Sequence, residues 1–210
     1  MKPLQDYVAE MLLQVKALKL QPHNPFTWAN GWESPIYFDS RKILSYPRIR
    51  TAIKIQMARA IIEQYPDVEV IAAVATNAIA MGMMVAELLG LPFVYIHPEP
   101  KNHGFENMIE GDLKPRQNVV VIEDQVSIGR NSLLCVDAIR KNGCKVLGLV
   151  VIFNYELQPT AMKLRDMDVE LTSLTNFYAV LRHAVEIGYI SEQDVKGFHN
   201  WQKDPEKWQK

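Results

Sequence analysis

The stretch that decides the fold is VVVIEDQVSIGRNS, residues 119–132. Four apolar residues run without alternation into two adjacent acids, Glu123 and Asp124, and a turn containing Gly129 leads into a helix predicted from about Asn131. An apolar run without alternation is typical of a strand that is covered on both faces, as strands of parallel sheets are. Ligands of such sheets bind beyond the carboxyl ends of the strands, so this segment is the first candidate for a functional site.

The same order of strand and helix repeats on both sides of this segment. Apolar runs predict strands at 70–75, 92–97, 119–124, 145–153 and 169–174, and helical spacing predicts helices at 48–65, 78–89, 131–141 and 159–166. Strands that alternate with helices along a chain indicate a parallel sheet with helices on both faces. The predicted fold class is therefore α/β, with a doubly wound, mostly parallel, five-stranded sheet.

The two ends of the chain have different patterns. Helical spacing predicts a helix over 3–19, and Asn30-Gly31 between two short aromatic runs predicts a β hairpin. The C-terminal tail carries Trp201 and Trp208 among charges, and we expect a peripheral helix there with some packing and a frayed end. The predicted organisation is a single domain, 1–210, with an N-terminal helix and small β hood at 1–45, a core at 46–175 with a flexible loop at 97–115, and C-terminal helices with a polar tail at 176–210.

Composition and charge exclude several classes of protein. The 23 Lys and Arg against 24 Asp and Glu give a formal net charge of −1, so the chain lacks the basic character needed for sequence-independent binding of nucleic acid or anionic lipid. Only Cys135 and Cys144 are present, which supports neither a disulfide scaffold nor a zinc site. With no targeting segment or membrane span in the sequence, we expect a soluble protein of the reducing cytoplasm, with no nucleic-acid or membrane partner.

The segment after the central strand combines two kinds of ligand contact. Adjacent acids at the end of a strand are costly to bury unless they meet a cation or a polyol, which suits Glu123 and Asp124 to sugar hydroxyls. The turn that follows opens a helix, whose free backbone N–H groups and dipole favour a phosphate. Together they predict a site for ribose 5-phosphate. The alternative from these residues alone is an acidic strand end followed by an ordinary helix cap.

A second turn of the same type is Ala75-Thr76-Asn77-Ala78, between the first core strand and its helix. Its backbone N–H groups predict another anion site. The alternative is that Thr76 or Asn77 caps the helix and that no ligand binds there.

Three segments give the chain a family resemblance. FTWANGWESPIYFDSR (26–41), YIHPEPKNHGFENMIEGDLKP (95–115) and VVVIEDQVS (119–127) stand in the order and spacing of type I phosphoribosyltransferases, and resemble orotate phosphoribosyltransferases in particular. The resemblance extends over most of the chain. It implies transfer of ribose 5-phosphate from 5-phosphoribosyl 1-pyrophosphate (PRPP) to N1 of orotate, giving orotidine 5′-monophosphate and pyrophosphate in pyrimidine synthesis.

The resemblance also implies a cofactor and an assembly. Mg²⁺ is expected to bind mainly through the pyrophosphate of the substrate, with Asp124 as a candidate contact and no direct metal site of the protein's own. The expected assembly is a homodimer in which the loop 97–115 of each subunit covers the active site of its neighbour.

Site residues follow from the same resemblance. Lys101, His103 and Asp124 are the implied catalytic residues. PRPP binding is implied for Thr76, Asn77, His97, Lys101, His103, Glu123, Asp124, Gln125, Val126, Ser127, Ile128, Gly129, Arg130 and Asn131. Orotate binding is implied for Tyr37, Phe38 and Ser127, and Asp39 also stands where the family has a similar residue.

The chain departs from the family pattern where anions bind. The family has Lys after the hood glycine, where this chain has Trp32, and it has Arg and Lys in the catalytic loop, where this chain has His97 and Glu99. In the phosphate turn, Ile128 replaces a threonine and Arg130 replaces a glycine. Each lost cation or hydroxyl removes a charge-assisted hydrogen bond of about 1.5–3 kcal/mol, whereas Arg130 adds a charge that suits the same phosphate.

These departures leave two alternatives open. One is a non-catalytic or regulatory homologue that binds a nucleotide or PRPP without turning it over. The other is a phosphoribosyltransferase for another base, against which the orotate-like hood and Ser127 argue. A DNA-binding regulator on this fold would need a basic appended domain, which the neutral charge disfavours.

Overall fold

The computed structural model describes residues 3–98 and 108–208 of the chain. The helices are α1 (Leu4–Gln14), α2 (Pro47–Gln64), α3 (Ile79–Leu89), α4 (Arg130–Lys141), α5 (Gln158–Asp166), α6 (Phe177–Glu186) and α7 (Glu192–Lys203), with a 3₁₀ helix at Ser40–Ser45. The strands are β1 (Leu18–Leu20), β2 (Phe26–Thr27), β3 (Glu33–Ser34), β4 (Ile36–Phe38), β5 (Val70–Val74), β6 (Phe93–Ile96), β7 (Ile109–Glu110), β8 (Asn118–Val126), β9 (Lys145–Asn154) and β10 (Leu171–Asn176). Within these ranges, no helix combines the length and the apolar character that a bilayer span requires.

The central sheet of the described chain has the strand order β10-β9-β8-β5-β6-β7. Neighbouring strands are parallel except β7, which pairs antiparallel with β6. All five predicted strands are present and the α/β class is confirmed, but the predicted number of strands is wrong because β7 adds a sixth. Two residues are too few for a hydrophobic period to reveal, and they fall inside the segment 97–115 that the sequence predicts to be a loop. Residues 99–107 of that segment lie outside the described residues.

Helices cover both faces of this sheet and give three layers. On one face, α4 and α5 pack over Val119 and Val121. On the other face, α1, α2, α3 and α6 pack over Val120 and Ile122. All four side chains are fully buried, as the run without alternation predicts.

The N-terminal segment forms a helix, a strand and a hairpin in succession. The helix predicted over 3–19 ends at Gln14, because the chain turns at Lys16 with a positive φ of 54°. The apolar residues that follow form β1, which pairs antiparallel with β4. The predicted hairpin is present as β2 and β3, and Gly31 supplies the positive φ of 82° that its turn requires.

The C-terminal helix α7 is packed more firmly than the sequence predicts. Trp201 is fully buried, and Phe198 on the same helix also belongs to the core. The expectation of a merely peripheral helix is therefore wrong. Its composition misleads because charged residues cover the outer face of the helix, while the few aromatic residues carry the packing.

Candidate active site

A cleft of about 610 Å³ opens at the carboxyl ends of β5, β8 and β9, where ligands of this fold class bind. Its walls come from separate parts of the chain. They are 27–30, Tyr37 and Phe38 of the hood, 74–77 after β5, 123–132 from β8 into α4, and Tyr155 after β9. The structure thus brings the two predicted acids, both predicted anion-binding turns and the hood aromatics to one place.

The two acids at the end of β8 point to opposite faces of the sheet, as adjacent residues of a strand do. Glu123 faces α4, where the Ser132 hydroxyl donates a hydrogen bond to its Oε2. Burial, reinforced by the neighbouring charge of Asp124, raises the pKa of Glu123 to about 8, and the bond from Ser132 opposes this rise. A raised pKa favours the protonated form of the Glu123 carboxyl.

Asp124 faces the hood and is held by three separate segments. Its Oδ2 accepts a hydrogen bond from Ser40 Oγ at 2.5 Å, and its Oδ1 accepts one from the backbone N–H of Gln125 at 2.9 Å. The side chain of Asn77, in the turn after β5, is a further hydrogen-bond partner. Burial raises the pKa of Asp124, while these hydrogen bonds lower it. A carboxylate fixed in this way is oriented before any ligand arrives.

The turn from β8 to α4 has the geometry of an anion site. Gly129 is the N-cap of α4 in the left-handed conformation, with φ 72°, and a Cβ added there would lie 2.9 Å from Thr160 Cγ2. Thr160 Oγ1 donates a hydrogen bond to the carbonyl oxygen of Ser127 at 2.5 Å, which ties the turn to α5. Within the described chain no side chain caps α4, so the backbone N–H groups of its first turn are available to a ligand.

The side chains around this turn have different surroundings. Arg130 is exposed, and it is the one Lys or Arg among the described residues that line the cleft. Ile128 packs against the hydrophobic core. Ser132 is buried and its hydroxyl is already bound to Glu123. A phosphate at this turn would therefore meet backbone N–H groups and one guanidinium, with no hydroxyl from position 128.

The turn after β5 is open to a ligand in a similar way. The N-cap of α3 is Ala78, and the structure gives it no side-chain capping bond from a described residue. The alternative in which Thr76 or Asn77 caps the helix is therefore wrong. Asn77 contacts Asp124 instead, and the peptide bond between Ala75 and Thr76 is cis. This turn lines the cleft directly beside the acid pair.

Aromatic side chains of the hood form another wall of the cleft. Tyr37 packs against Phe26 with ring centroids 5.3 Å apart, and the Phe38 ring is buried. Trp28 meets the ring of Tyr155 edge to face at 5.2 Å. Because Trp28 and Tyr155 both line the cleft, a planar ligand bound here would lie against aromatic rings.

Two proteins of similar sequence carry the same name. The chain is 51% identical over 208 residues to the orotate phosphoribosyltransferase of Porphyromonas gingivalis, with 99% of both chains covered. It is 51% identical over 209 residues to that of Phocaeicola vulgatus, covering 100% of this chain and 99% of the relative. The chain belongs to the orotate phosphoribosyltransferase family. A scan against protein-family models finds no match.

Solved structures share the fold of this family member at lower identity. The UMP synthase of Leishmania donovani superposes with a TM-score of 0.79 at 21% identity, covering 94% of this chain and 42% of that chain. The orotate phosphoribosyltransferase of Aeropyrum pernix superposes with a TM-score of 0.71 at 22% identity, covering 86% of this chain and 99% of that chain. The orotate phosphoribosyltransferase of Mycobacterium tuberculosis, in complex with PRPP, superposes with a TM-score of 0.65 at 19% identity, covering 85% of this chain and 99% of that chain. At these identities the likeness shows the fold, which is that of type I phosphoribosyltransferases.

Most residues predicted from the family resemblance line the cleft, and some do not. Those that line it are Tyr37, Phe38, Thr76, Asn77, Glu123, Asp124, Gln125, Val126, Ser127, Ile128, Gly129, Arg130 and Asn131. His97 lies at the end of β6, where its backbone N–H donates to the carbonyl oxygen of Met108 at 2.8 Å, and it is not among the described residues of the cleft wall. Lys101 and His103 lie outside the described residues.

Asp39 has a structural contact that the family resemblance does not reveal. Its carboxylate caps the 3₁₀ helix by accepting a hydrogen bond from the backbone N–H of Arg41 at 3.2 Å. The Arg41 guanidinium also holds the pKa of Asp39 below its usual range. Asp39 therefore stabilises the hood segment that carries Ser40.

Sequence reasoning assigned no individual role to Trp28, Ser40 or Tyr155. It also did not predict the bond from Ser132 to Glu123, although all of these residues shape the cleft. The rule that ligands gather at the carboxyl ends of strands points to the segment after β9, and so toward Tyr155. No local pattern indicates the bond between Ser40 and Asp124, because the two residues are 84 positions apart.

Proposed function

We propose that this protein transfers ribose 5-phosphate from PRPP to N1 of orotate, forming orotidine 5′-monophosphate and pyrophosphate for pyrimidine synthesis. The bond from C1′ to the pyrophosphate oxygen breaks, the bond from C1′ to N1 forms, and N1 of orotate gives up its proton to solvent. The observation that carries the proposal is the cleft. In it, a buried acid pair lies beside an aromatic wall and two helix N-termini that no described side chain caps. Relatives at about half identity over the full chain are named for this transfer.

Each part of the two substrates has a suitable surface in this proposal. The 5-phosphate binds at the start of α4, to backbone N–H groups and Arg130. Asp124 accepts hydrogen bonds from the ribose hydroxyls, with Glu123 behind it. The turn after β5 binds the pyrophosphate, and the orotate ring lies against the aromatic wall near Ser127 and Tyr37.

Negative charge develops on the pyrophosphate as it leaves, and cationic donors stabilise it. Lys101 and His103 match the family's cation and imidazole for this step, and we assign them the same roles. Arg130 lies at the other end of the substrate in this arrangement, so it does not replace them.

Mg²⁺ would bind mainly through the substrate. The described residues contain no group of three or more His, Cys, Asp and Glu side chains able to hold a metal ion. Asp124 and Glu123 each already accept a hydrogen bond from a serine hydroxyl. Mg²⁺ commonly uses one or two carboxylates together with substrate phosphates, which fits Asp124 beside the turn assigned to pyrophosphate. When bound, the ion neutralises charge on the departing pyrophosphate.

A homodimer is part of the proposal, with the segment 97–115 of each subunit serving the cleft of its neighbour. Exposed apolar surface of the kind found on α2 and α3 supports it, because such surface is typical of subunit interfaces. The side chains concerned are Ile55, Ile62, Met83 and Leu88. Light scattering should report about 48 kDa, twice the 24.0 kDa of one chain. A value of one chain mass would contradict the shared site.

The proposed location is the cytoplasm, where thiols remain reduced. Cys135 and Cys144 are both buried and unpaired, which supports this location. After purification without reductant, mass spectrometry should find both thiols free.

The non-catalytic alternative has no support among the relatives, which carry the name of the enzyme. Its basis is the set of departures at anion-binding positions. In the structure one of these, Arg130, adds a cation to the cleft wall, so the departures are not all losses.

Calorimetry and a turnover assay together test the proposed function. In buffer with Mg²⁺, we expect heat of binding with PRPP and with orotidine 5′-monophosphate, and loss of orotate absorbance when PRPP and orotate are mixed. Binding of both ligands without turnover would favour the regulatory alternative. Binding of neither ligand would contradict both functions.

A further inference from the structure

The C-terminal helix α7 supports the hood hairpin from behind the cleft. Trp201 of α7 is fully buried, and its Nε1–H donates a hydrogen bond to the carbonyl oxygen of Glu33 in β3 at 3.0 Å. The two residues are 168 positions apart in the chain. One side chain of the last helix therefore fixes a strand of the hood.

The same indole packs against the rings of the aromatic wall. The centroid of the Trp201 ring lies 5.7 Å from that of Trp28 and 6.1 Å from that of Tyr155, in edge-to-face arrangements. Trp28 and Tyr155 line the cleft, whereas Trp201 is not among the described residues that do so. Such ring pairs have preferred geometries, so the position of Trp201 sets where the two wall rings lie.

The hairpin needs this support because it is short. β2 and β3 have two residues each, paired as Phe26 with Ser34 and Thr27 with Glu33. A two-stranded hairpin on its own is marginally stable at best. The position of Trp28, directly after β2, must therefore depend on packing from outside the hairpin.

Three further contacts tie α7 to the chain around the aromatic wall. The Gln202 amide donates a hydrogen bond to the carbonyl oxygen of Glu156 at 3.0 Å, and its Oε1 accepts one from the Tyr178 hydroxyl at 3.0 Å. At the start of the helix, Asp194 contacts His23 Nε2 at 3.0 Å, three residues before the hairpin begins. Helix α7 thus contacts the chain before the hairpin and the chain after β9.

We propose that α7, acting through Trp201, is a positioning element for the base-binding wall of the cleft. This inference rests on the proposed function, which assigns that wall to orotate. Trp201 does not contact the ligand, but it holds Trp28 and Tyr155 at the spacing that receives a planar base. Binding of the phosphate groups does not depend on it, because the two phosphate turns belong to the β5–α3 and β8–α4 connections.

The test compares a ligand that carries the base with one that lacks it. Trp201→Phe removes the Nε1–H donor and keeps an aromatic ring in the core. We expect the Kd of orotidine 5′-monophosphate to rise about threefold to tenfold, and that of PRPP to change by less than about twofold. In the turnover assay, the KM for orotate should rise by a similar factor while the KM for PRPP stays the same.

Two more variants complete the design. Trp208→Phe is the matched control, because Trp208 packs only partly against the core and its N–H has no hydrogen-bond acceptor among the described residues. It should leave the affinity for both ligands unchanged. Gln202→Met keeps the length of the side chain and removes the donor to the Glu156 carbonyl, so it should show the same selective loss even if Trp201→Phe does not fold.

The outcomes separate the two proposals. Equal weakening of both ligands would overturn the inference, because it would show a general loss of structure. Unchanged affinity for orotidine 5′-monophosphate in Trp201→Phe and Gln202→Met would overturn it as well. A wild-type protein that binds neither ligand would overturn the proposed function itself, and the inference with it.

Discussion

The phosphate side and the base side of the cleft are held in different ways. The phosphate side consists of β8, its turn and α4, which are continuous in sequence, and its central bond joins Glu123 and Ser132, nine residues apart. The base side is a short hairpin fixed by Trp201, 168 residues from its hydrogen-bond partner. One side is an extension of the core sheet, whereas the other depends on the far end of the chain.

This difference predicts how the two sides respond to change. A substitution on the phosphate side acts on residues that the core already positions, so its effect should stay local. A substitution in α7 should change ligand binding on the base side and leave binding on the phosphate side unchanged. Asp124 is the point where the two sides meet, since it accepts hydrogen bonds from Ser40 of the hood and from Gln125 of β8.

The largest effect is expected at this meeting point. Asp124→Asn removes the charge that the proposed function uses to bind ribose hydroxyls, so we expect kcat/KM to fall at least about a hundredfold. The fold should be retained, because Asn has nearly the same volume. The measurements are steady-state kinetics and thermal denaturation. Asp137→Asn, at a half-buried acid of α4 paired with Lys141, is the control and should leave kcat/KM nearly unchanged. Unchanged kinetics with a lower Tm would make Asp124 a structural acid.

On the phosphate face of β8, a pH effect on stability is expected. Glu123 has its pKa raised from the ordinary value of 4.5 to about 8 in the folded protein. Between these values the folded state binds a proton that the unfolded chain has released, so the free energy of unfolding should fall as the pH rises from 4.5 to 8. The fall should be on the order of 2–4 kcal/mol.

Urea denaturation of the ligand-free protein at several pH values in this range measures how steeply the free energy of unfolding changes with pH. Ser132 and Cys135 lie on the same face as Glu123, and the adjacent charge of Asp124 also acts on its pKa. The raised pKa of Asp124 changes the stability in the same direction. Glu123→Gln should therefore reduce the slope without abolishing it. A variant with the same slope as the wild-type protein would show that Glu123 does not hold the proton.

A smaller effect tests whether the guanidinium of Arg130 compensates for the hydroxyl that the phosphate turn lacks at position 128. Ile128→Thr adds a hydroxyl beside the proposed phosphate, and we expect PRPP affinity to rise roughly tenfold to a hundredfold by calorimetry. Ile128→Val is the matched control, because valine has the shape of threonine without the hydroxyl. If Arg130 compensates for the missing hydroxyl, Arg130→Gly alone should weaken binding, and adding Ile128→Thr should restore it. Unchanged affinity in all variants would mean that no phosphate binds at this turn.

The smallest effect compares the turns of the two sides directly. Gly31 and Gly129 both have positive φ, but a Cβ at Gly31 would meet nothing within 4 Å, whereas one at Gly129 would lie 2.9 Å from Thr160 Cγ2. Gly31→Ala should lower the free energy of unfolding by about 1 kcal/mol through backbone strain alone. Gly129→Ala should cost about 1 kcal/mol more because of the close contact. Equal losses in urea denaturation would contradict the picture of a packed phosphate turn and an open hood turn.

The phosphate side could be predicted from sequence far better than the base side. Glu123, Asp124 and the turn after them form one continuous signal, and the structure places them together in the cleft. The bonds of Ser40 to Asp124 and of Trp201 to Glu33 join residues 84 and 168 positions apart, and hydrophobic periods carry no information about such pairs. The catalytic roles of Lys101 and His103 stay predictions.

The arrangement of one hood indole and one indole of α7 has a spectroscopic consequence. The rings of Trp28 and Trp201 lie 5.7 Å apart and nearly perpendicular, at 77°, so their electronic transitions are close enough to couple. Trp201 is shielded from water, whereas Trp28 lines the cleft. A ring that enters the cleft therefore changes the surroundings of one chromophore of the pair and leaves those of the other intact. Intrinsic fluorescence and near-ultraviolet circular dichroism can thus follow occupancy of the base side in real time, without a label and without turnover.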